Sequence, residues 1–445
     1  MKKSYPIFFL LLIFLILPVW PALSSSETVK FIKGISIHNK EVSNLTKEEA
    51  YIKLKPSIEE ILKQDVILIS PSGENIWLTT MEKIGLDINL EKIIEEGIKV
   101  GNEGPLLKRW YDQIKARTKG TNLDLAMELD KEKAKKEIEV LTKELLIEPE
   151  DARFVINNNQ VTIKKDMDGR ELDMQNILEN LENNLTIQGP IGLDILTKVK
   201  KAKVTQKDLE GLKVQSLLGE YTTWFNPQKV NRSSNIRLAA KAIDNCLVPP
   251  GEEFSFNKVV GPRTKEAGYN EGTIILNKRM VQGIGGGVCQ VSSTLYNALL
   301  KGNIKVTERH PHSIPIHYVP KGMDAAVVYG AQDLKFLNNT EGHILIKAYG
   351  GSSSLTIKLF GYKEKDVYVE LHSIIEETIP YQTIIKESNE SHEEIIEQEG
   401  NDGYIVQVER IIRDDNNNIL VHEILTKDYY PPVDRIIIIG KASAD

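Results

Sequence analysis

Apolar residues follow four different patterns along the chain, and the first is an unbroken run close to the start. The run covers Ile7–Leu17, follows two lysines, and is followed by small residues that include Ala22 and Ser24. A basic start, an apolar run and small residues in this order predict a secretory signal over residues 1–25, and an uncleaved anchor is the alternative. We therefore expect an exported chain, located in the cell wall or on the extracellular side of the cytoplasmic membrane. Membrane contact is expected only through this segment, if it stays uncleaved.

The second pattern, from Val29 to about Lys203, mixes short apolar stretches with charged segments of helical period. This mixture predicts an α+β region, with a helix capped at Asn44 or Thr46. Two parts of the region are similar to each other, namely residues 85–95 and 169–179. Each has a glycine, then an Asn or Asp where a helix cap belongs, then apolar residues at helical spacing. We therefore predict two repeats of one α+β unit.

The third pattern, over residues 214–361, has many glycines and turn residues and fewer charges. Apolar residues at helical spacing predict one helix over 234–247 and a second one that begins after Gly285–Gly287. Apolar stretches predict strands at 314–320, 325–330, 343–349 and 355–361. The expected fold of this part is again α+β.

The fourth pattern is a period-two alternation from Val367 to Gly440, which predicts an all-β module. Residues 414–418, all Asp or Asn, are expected to form a hairpin turn within it. The predicted fold class is therefore α+β multidomain, with a duplicated α+β N-terminal region, an α+β central domain and an all-β C-terminal module.

Composition narrows the classes of function. The formal net charge is -7, which argues against a nucleic-acid partner. The chain has two cysteines, Cys246 and Cys289, so one disulfide is the maximum and the folded cores must form by burial. The histidines lack a compact metal-ligand spacing, and we expect neither a metal site nor a cofactor.

Residues 214–361 resemble the VanW family. The resemblance is carried by PGEEFSFNKVVGPRTKEAGY, GGGVCQVSSTLYNALL, ERHPHSIPIHYVPKGMDAAV and DLKFLNNT, which occur in this order. The resemblance implies work in the cell envelope near peptidoglycan and supplies no reaction.

The flanking regions resemble two further families. Residues 28–205, with GISIHNKEVSNLTKEEA and DARFVINNNQVTIKKDMDGRELD, are similar to the YoaR-like peptidoglycan-binding region. Residues 367–441, with EETIPYQTII, EQEGNDGYIVQVERII and the closing IIIIG, resemble the G-five domain. These resemblances imply binding to a cell-wall polymer, and a spacer role is the alternative for each region.

Candidate chemistry centres on Cys289, which lies in the first turn of the second predicted helix. A helix N-terminus lowers the pKa of a cysteine, and a histidine beside it can deprotonate the thiol. His310, His312 and Asp324 follow along the chain, in the order nucleophile, base and acid on helix, strand and strand. The local sequence around Cys289 is similar to the nucleophile helix of transglutaminase-like and papain-like folds. We therefore name these four residues as candidate catalytic residues for acyl transfer or amide hydrolysis.

Other interpretations of these residues stay open. Cys289 can form a disulfide with Cys246 or be a small buried residue, and the histidines can be structural. Arg263 and Arg309 can bind a carboxylate, such as a D-alanine terminus, with two hydrogen bonds. The candidate ligand-binding residues are Gly285, Gly286, Gly287, Gln290, Arg263 and Arg309.

Three functions follow from these observations. The leading one is an exported envelope protein that recognises peptidoglycan, or wall glycan and peptide, through its VanW and flanking regions. The first alternative is a cysteine-dependent acyl-transfer or amidase-type enzyme that acts on wall peptides. The second alternative is a structural or adhesive wall protein.

Overall fold

A computed structural model describes residues 28–187, 189–276, 278–388 and 394–440, so the predicted signal segment lies outside the described residues. The described chain forms two compact units. The first comprises the residues up to Glu148 and Gly169–Lys200, and the second comprises Pro149–Asp168 and the residues from Lys201 onwards. Over these ranges, none of the helices combines the length and the apolar character that a membrane crossing requires. The predicted α+β multidomain class is confirmed.

The elements of the N-terminal half are short and alternate between strand and helix. In chain order they are β1 (Ile35–Ile37), β2 (Lys40–Glu41), α1 (Lys47–Leu62), β3 (Asp65–Ile69), β4 (Ile76–Thr80), β5 (Leu86–Ile88), α2 (Leu90–Lys99), α3 (Leu106–Lys119), β6 (Thr121–Leu123), β7 (Met127–Leu129), α4 (Lys131–Leu141), β8 (Arg153–Asn157), β9 (Gln160–Lys164), β10 (Gly169–Leu172), α5 (Met174–Asn183), β11 (Ile191–Asp194), β12 (Thr197–Lys200) and α6 (Gln206–Gly211).

The first unit is built from small sheets covered by helices. Its sheets have the strand orders β2-β1-β6, β11-β3-β4, β5-β7 and β10-β12. Helix α1 begins as predicted, because the Thr46 side chain accepts a hydrogen bond from the Glu49 N–H while the Glu49 side chain accepts one from the Thr46 N–H. The buried face of α1 repeats at helical spacing with Ala50, Leu54 and Ile58, which join the core of this unit.

The two similar segments of the first unit have the same local structure. In one, β5 leads through the cap residue Asn89 into α2, and in the other, β10 leads through Asp173 into α5. The Asn89 side chain accepts a hydrogen bond from the Lys92 N–H, as expected for a cap. The order of strand, cap position and helix is therefore as predicted, but the Asp173 side chain makes no capping hydrogen bond to the backbone. The duplication itself stays a prediction.

The second unit contains the β8–β9 hairpin, α6 and the elements of the C-terminal half. In chain order the latter are β13 (Ser216–Trp224), α7 (Val230–Ile243), β14 (Leu247–Val248), β15 (Glu253–Ser255), α8 (Phe256–Val260), β16 (Glu271–Leu276), β17 (Arg279–Ile284), α9 (Val288–Lys301), β18 (Lys305–Glu308), β19 (Lys335–Leu337), β20 (Ile344–Gly350), β21 (Ser354–Gly361), β22 (Tyr368–Ile379), β23 (Thr383–Ser388), β24 (Ile395–Gln398), β25 (Gly403–Arg413), β26 (Ile419–Tyr430) and β27 (Arg435–Gly440).

Helix α9 is the centre of the second unit. It packs against the four-stranded sheet of order β13-β21-β20-β14 and against α7, and 12 of its 14 residues are buried. A helix that is buried on all sides needs partners for its polar side chains as well as for its apolar ones. Thr294 meets this need by sharing a hydrogen bond with Thr223 of β13.

The predicted first helix of this unit is displaced along the chain. It covers 230–243, whereas the sequence pattern predicted 234–247. Asn245 has a positive φ of 63° and its N–H donates to the Ile346 carbonyl, so the chain leaves the helix and pairs with β20. The apolar residues counted at the helix end therefore belong to β14, whose Leu247 and Val248 pair with β20.

Two predicted strands are wrong. Residues 314–320 and 325–330 form an irregular loop, apart from a single bridge between Val328 and Gln332. Pro315 and Pro320 lack the N–H that a strand ladder requires. Side chains of α9 take the place of a ladder, since Ser292 donates to the Ala325 carbonyl and Asn297 donates to the Met323 carbonyl.

The C-terminal β module, residues 368–440, consists of two sheets with the orders β22-β25-β26 and β23-β27-β24. Strands β25 and β26 form the predicted hairpin through residues 414–418. The Asp414 side chain accepts hydrogen bonds from the N–H groups of Asn416 and Asn418, and Asn417 has a φ of 64°. Asn tolerates this conformation, which explains how the turn forms without a glycine.

Gly286 provides a test of the packing that precedes α9. A Cβ at this position would lie 2.4 Å from the carbonyl carbon of Gly272, a backbone atom of β16 that cannot move aside alone. We expect Gly286→Ala to lower the free energy of unfolding by about 1–3 kcal/mol. Denaturant unfolding of the full chain measures this difference. Gly211→Ala is the matched control, because a Cβ on this last residue of α6 meets nothing within 4 Å, and equal losses in both variants would contradict the packing argument.

Candidate functional site

The glycine run before α9 is required by close packing. Gly285 and Gly287 have φ values of 83° and 109°, which favour glycine over any residue with a Cβ. A Cβ on Gly287 would lie 3.0 Å from atoms of Arg232 and Ile236 on α7. The run therefore lets the β16–β17 hairpin and α7 approach the start of α9. The use of these glycines as a ligand-binding loop stays a prediction.

Cys289 is the second residue of α9 and is partly exposed. Its thiol donates to the Val327 carbonyl at 3.6 Å. Because N–H groups in the first turn of a helix have no acceptor within the helix, the Cys289 N–H is available to a ligand oxygen. Cys246 lies after the end of α7, where its thiol contacts the Ala242 carbonyl, and both cysteines are free. The disulfide considered from the sequence is therefore absent from this structure.

His312 connects Cys289 to Asp324. Its side chain is 7% exposed, and its Nδ1 lies 2.6 Å from Asp324 Oδ2. The imidazole also interacts with the Cys289 thiol strongly enough to change the pKa of both groups, and the pairing of Nδ1 with Asp324 leaves Nε2 for that interaction. The structure thus brings together three of the four candidate catalytic residues. The fourth, His310, pairs instead with Glu308 at 3.1 Å and is not part of this arrangement.

Asp324 is buried, with 1% of its surface exposed, and is surrounded by donors. Oδ2 accepts hydrogen bonds from the backbone N–H and the Nδ1 of His312, while Oδ1 accepts from Arg309 Nη2 and the Tyr430 hydroxyl. Burial raises the pKa of this carboxyl, but the hydrogen bond and charge of His312, with the charge of Arg309, outweigh it and hold the pKa below its ordinary value. Asp324 is therefore ionised at neutral pH and fixes the orientation of the imidazole.

The C-terminal β module supplies part of this arrangement. Tyr430 on β26 donates to Asp324 and accepts from the Gly322 N–H. Asp428, two residues earlier on the same face of β26, accepts two hydrogen bonds from Arg309 Nη1. Arg309 is 6% exposed, and its other donors bind the carbonyls of Asp324 and Gly322. Arg309 is thus committed to internal partners, which argues against its predicted binding of a ligand carboxylate.

The pKa values of Cys289 and His312 move in opposite directions. Burial raises the pKa of the Cys289 thiol, but the hydrogen bond and charge of His312 outweigh it and bring the pKa below its ordinary value. Burial lowers the pKa of His312, but hydrogen bonds to Asp324 and Cys289 raise it to about 9. Both directions favour a thiolate beside an imidazolium at neutral pH. For Cys246, burial and the nearby Asp244 carboxylate raise the thiol pKa.

The remaining candidate ligand-binding residues differ in their availability. Gln290 is 1% exposed, accepts from Arg232 and donates to Thr223 and Trp224, so its side chain is used internally. Arg263 donates to Asn257 through Nη1, while its buried Nη2 has no partner among the described residues. The charge of Arg263 also contributes to the lowered pKa of Cys289. Arg263 is therefore the predicted ligand-binding side chain that keeps an unpaired donor, although that donor is buried.

Sequence reasoning missed Asp428, Tyr430 and Tyr318. Tyr318 interacts electrostatically with Cys289 and hydrogen-bonds to Ser293, and the guanidinium of Arg232 lies 5.9 Å from its ring centre. The sequence did contain a signal for Asp428 and Tyr430. The two residues share the buried face of an alternating strand, and an acid on such a face needs a charged partner. Among the described residues, no group of three His, Cys, Asp or Glu side chains is arranged to hold a metal ion.

Comparisons with known proteins agree with two of the resemblances. A family model described as "VanW like protein" matches residues 231–360, and one described as "Putative peptidoglycan binding domain" matches residues 77–190. Together these matches make the chain a cell-wall-associated protein. Two solved structures align with part of the chain. They are the G5 domain of IgA1 protease (25% identity, 18% of this chain, 94% of that chain, TM-score 0.15) and HP0197-G5 (18% identity, 17% and 100%, TM-score 0.12).

Two curated proteins are similar in sequence. The chain is 34% identical to the vancomycin B-type resistance protein VanW of Enterococcus faecalis over 116 residues, 25% of this chain and 42% of that protein. It is 39% identical to the uncharacterized protein YoaR of Bacillus subtilis over 231 residues, which are 52% of this chain and 75% of YoaR. At this identity and coverage, the chain belongs to the VanW-like family that includes YoaR.

Proposed function

We propose that the chain is a cysteine-dependent enzyme that transfers or hydrolyses acyl groups of cell-wall peptides. The observation that carries the proposal is the Cys289–His312–Asp324 arrangement, in which a partly exposed cysteine is followed along the chain by a buried base and a buried acid. A carboxylate on Nδ1 fixes the tautomer and leaves Nε2 to exchange a proton with the nucleophile. Disulfide formation or simple burial of Cys289 requires neither the imidazole nor the buried acid.

The reaction begins with the thiolate. Cys289 Sγ attacks the carbonyl carbon of an amide, and a C–S bond forms while the carbonyl oxygen becomes an oxyanion. The Cys289 N–H is a donor for that oxyanion. The C–N bond then breaks, and the leaving amine takes the proton from His312 Nε2, which leaves a thioester. Water or a second amine attacks the thioester, His312 accepts the proton of the attacking group, and the C–S bond breaks to restore the thiolate and the imidazolium.

Peptide crosslinks of the wall are the proposed substrates. The match to a peptidoglycan-binding family model over residues 77–190 supports this class, because that region is part of the same chain. The charge of Arg263, which acts on the Cys289 thiol, suits a substrate carboxylate such as the terminus of a wall peptide. Export, on which access to this substrate depends, rests on the apolar run at 7–17.

A second candidate function is recognition of peptidoglycan without a reaction. The same family match favours it, since binding needs only residues 77–190. In that case Cys289 and His312 would form a static ion pair that holds the irregular loop after β18. The two functions differ in a measurable respect, because recognition leaves no covalent intermediate on Cys289.

One prediction of the proposed function concerns the reactivity of the two thiols. At pH 6.5 we expect iodoacetamide to modify Cys289 at least about tenfold faster than Cys246, because the pKa of the first is lowered and that of the second is raised. Mass spectrometry of peptides from the native chain measures both rates in one sample. His312→Gln should remove most of the difference, and equal rates in the unmodified chain would contradict the proposed thiolate.

A second prediction concerns turnover of wall peptides. Incubation of the full chain with crosslinked wall fragments and a competing amine should yield cleaved or amine-linked products, with a thioester on Cys289 detectable after acid quenching. Cys289→Ser should lower the rate by about a thousandfold or more, and Cys246→Ser should leave it unchanged. Binding of the fragments without products or a thioester would support recognition instead.

The pH dependence of turnover follows from the pKa of His312. This pKa is raised to about 9, so the imidazolium that protonates the leaving amine is present below pH 9 and is lost above it. We therefore expect the rate of amide cleavage to fall above about pH 9, whereas alkylation of Cys289 should not fall there. Parallel rate profiles between pH 5 and 10 separate the two, and a cleavage rate that keeps rising above pH 9 would argue against His312 as the acid.

Tyr430 provides a test of the contribution of the C-terminal β module. Tyr430→Phe removes one of the hydrogen bonds to Asp324, so His312 is oriented less firmly and cleavage should slow by about threefold to tenfold. Tyr429→Phe is the matched control, because Tyr429 is 57% exposed on the other face of the same strand. The alkylation rate of Cys289 at pH 6.5 should fall with the cleavage rate, and a loss of Tm alone would indicate a purely structural tyrosine.

A further inference from the structure

Helix α3 of the first unit exposes its apolar side to solvent. Leu106 and Leu107 are 80% and 82% exposed, and Trp110 and Tyr111 are 67% and 64% exposed. Together with Ile114 they follow a helical spacing and therefore share one face. A surface helix of a globular domain ordinarily turns this face towards the core.

The opposite side of α3 is fixed to the domain. Ala116 is buried, and the Gln113 side chain donates to the Gly101 carbonyl at 3.0 Å. Gly34 approaches so closely that a Cβ there would lie 2.0 Å from the Ala116 carbonyl oxygen. A rotation that buried the apolar face would break these contacts. The outward orientation of the apolar face is therefore set by packing on the opposite side of the helix. A contiguous exposed apolar patch of this kind marks an interaction site.

The charges of α3 indicate what covers this face. The helix carries five basic residues and a single acidic one, Asp112, within a chain whose net charge is -7. The basic residues are Lys108, Arg109, Lys115, Arg117 and Lys119. On a helical projection Lys108, Lys115 and Lys119 lie along one edge of the apolar face. Apolar and aromatic side chains bordered by lysines are the pattern of a helix that lies in the plane of an anionic membrane surface.

The start of the described chain is next to this helix. The Asn102 side chain, in the loop before α3, donates to the Lys30 carbonyl at 2.8 Å. The apolar run that ends at Leu17 is separated from Thr28 by about ten residues, which reach roughly 35 Å at most. A bilayer that holds this run, before cleavage or as an anchor, is therefore within reach of α3.

We propose that α3 is a docking site for an anionic phospholipid bilayer. In this arrangement the helix axis lies parallel to the membrane, and Leu107, Trp110 and Ile114 enter the boundary between headgroups and acyl chains. The lysines along the edge contact the lipid phosphates. The site differs from the membrane contact expected from the sequence, because it does not depend on the N-terminal segment. It is also independent of Cys289, so the Cys289→Ser variant should bind the membrane unchanged.

Co-sedimentation with vesicles tests the proposal. The chain beginning at Ser26, the form that signal cleavage is predicted to leave, should pellet with phosphatidylglycerol–phosphatidylcholine vesicles and much less with phosphatidylcholine alone. Leu107→Ala and Trp110→Ala should each weaken binding by about tenfold, and Lys115→Glu should weaken it on anionic vesicles only. The matched controls are Ile52→Ala, at a 73% exposed position of α1, and Lys135→Glu, at an exposed position of α4, and neither should change binding.

A second measurement uses the full chain. Lipids brominated on the acyl chains should quench the fluorescence of Trp110, as shown by the difference between the unmodified chain and Trp110→Phe. Three outcomes would overturn the proposal: equal binding to neutral and anionic vesicles, binding to purified wall sacculi that depends on Leu107 and Trp110, or self-association that depends on the same residues. The last two would assign the face to the wall polymer or to a second copy of the chain.

Discussion

The carboxylate of Asp324 is buried almost completely, and a buried charge is tolerated only when it is paired and its oxygens accept hydrogen bonds. Here His312, Arg309 and Tyr430 supply the donors, and Asp428 balances the second positive charge. The position of each group depends on the others, because removal of a charged partner leaves an uncompensated charge in the interior and removal of Tyr430 takes a hydrogen bond from Asp324. The arrangement therefore fixes the imidazole at Cys289 more firmly than a surface pair would.

Helix α9 is the scaffold on which this cluster is built. Its apolar side chains form the core of the second unit, and its polar ones hold an irregular loop in place through Ser292, Ser293 and Asn297. The loop needs no strand ladder, because side chains of the helix, Arg309 and Tyr430 satisfy backbone groups of residues 322–325. A single buried helix thus positions the thiol at its start and, through its side chains, the loop that carries Asp324.

Local patterns in the sequence predicted most of the elements but only part of the site. The Thr46 cap, the Asp414 turn and the alternating strands of the C-terminal module depend on neighbours within a few residues, and these predictions hold. The sequence could not indicate which of His310 and His312 belongs to the site. On a regular strand both side chains would point the same way, and Pro311 removes that regularity, so neither direction could be predicted. Tyr430 lies 106 residues after Asp324, so no local pattern could indicate that they meet. The loop after β18 was predicted as two strands because it contains apolar stretches. These residues are buried in the structure without forming a strand ladder.

The distance along the chain between Asp324 and Tyr430 also determines when the cluster around Asp324 is complete. Synthesis proceeds from the N-terminus, so Cys289, His312 and Asp324 leave the ribosome well before β26, which carries Asp428 and Tyr430. Until that strand has folded against the loop, Arg309 and Asp324 lack their final partners, and water can compete for both charges. The C-terminal module therefore supplies the last partners of the cluster around Asp324. A chain in which β26 has not yet folded therefore lacks two of the partners that hold Arg309 and Asp324, and with them part of the support for the His312 imidazole.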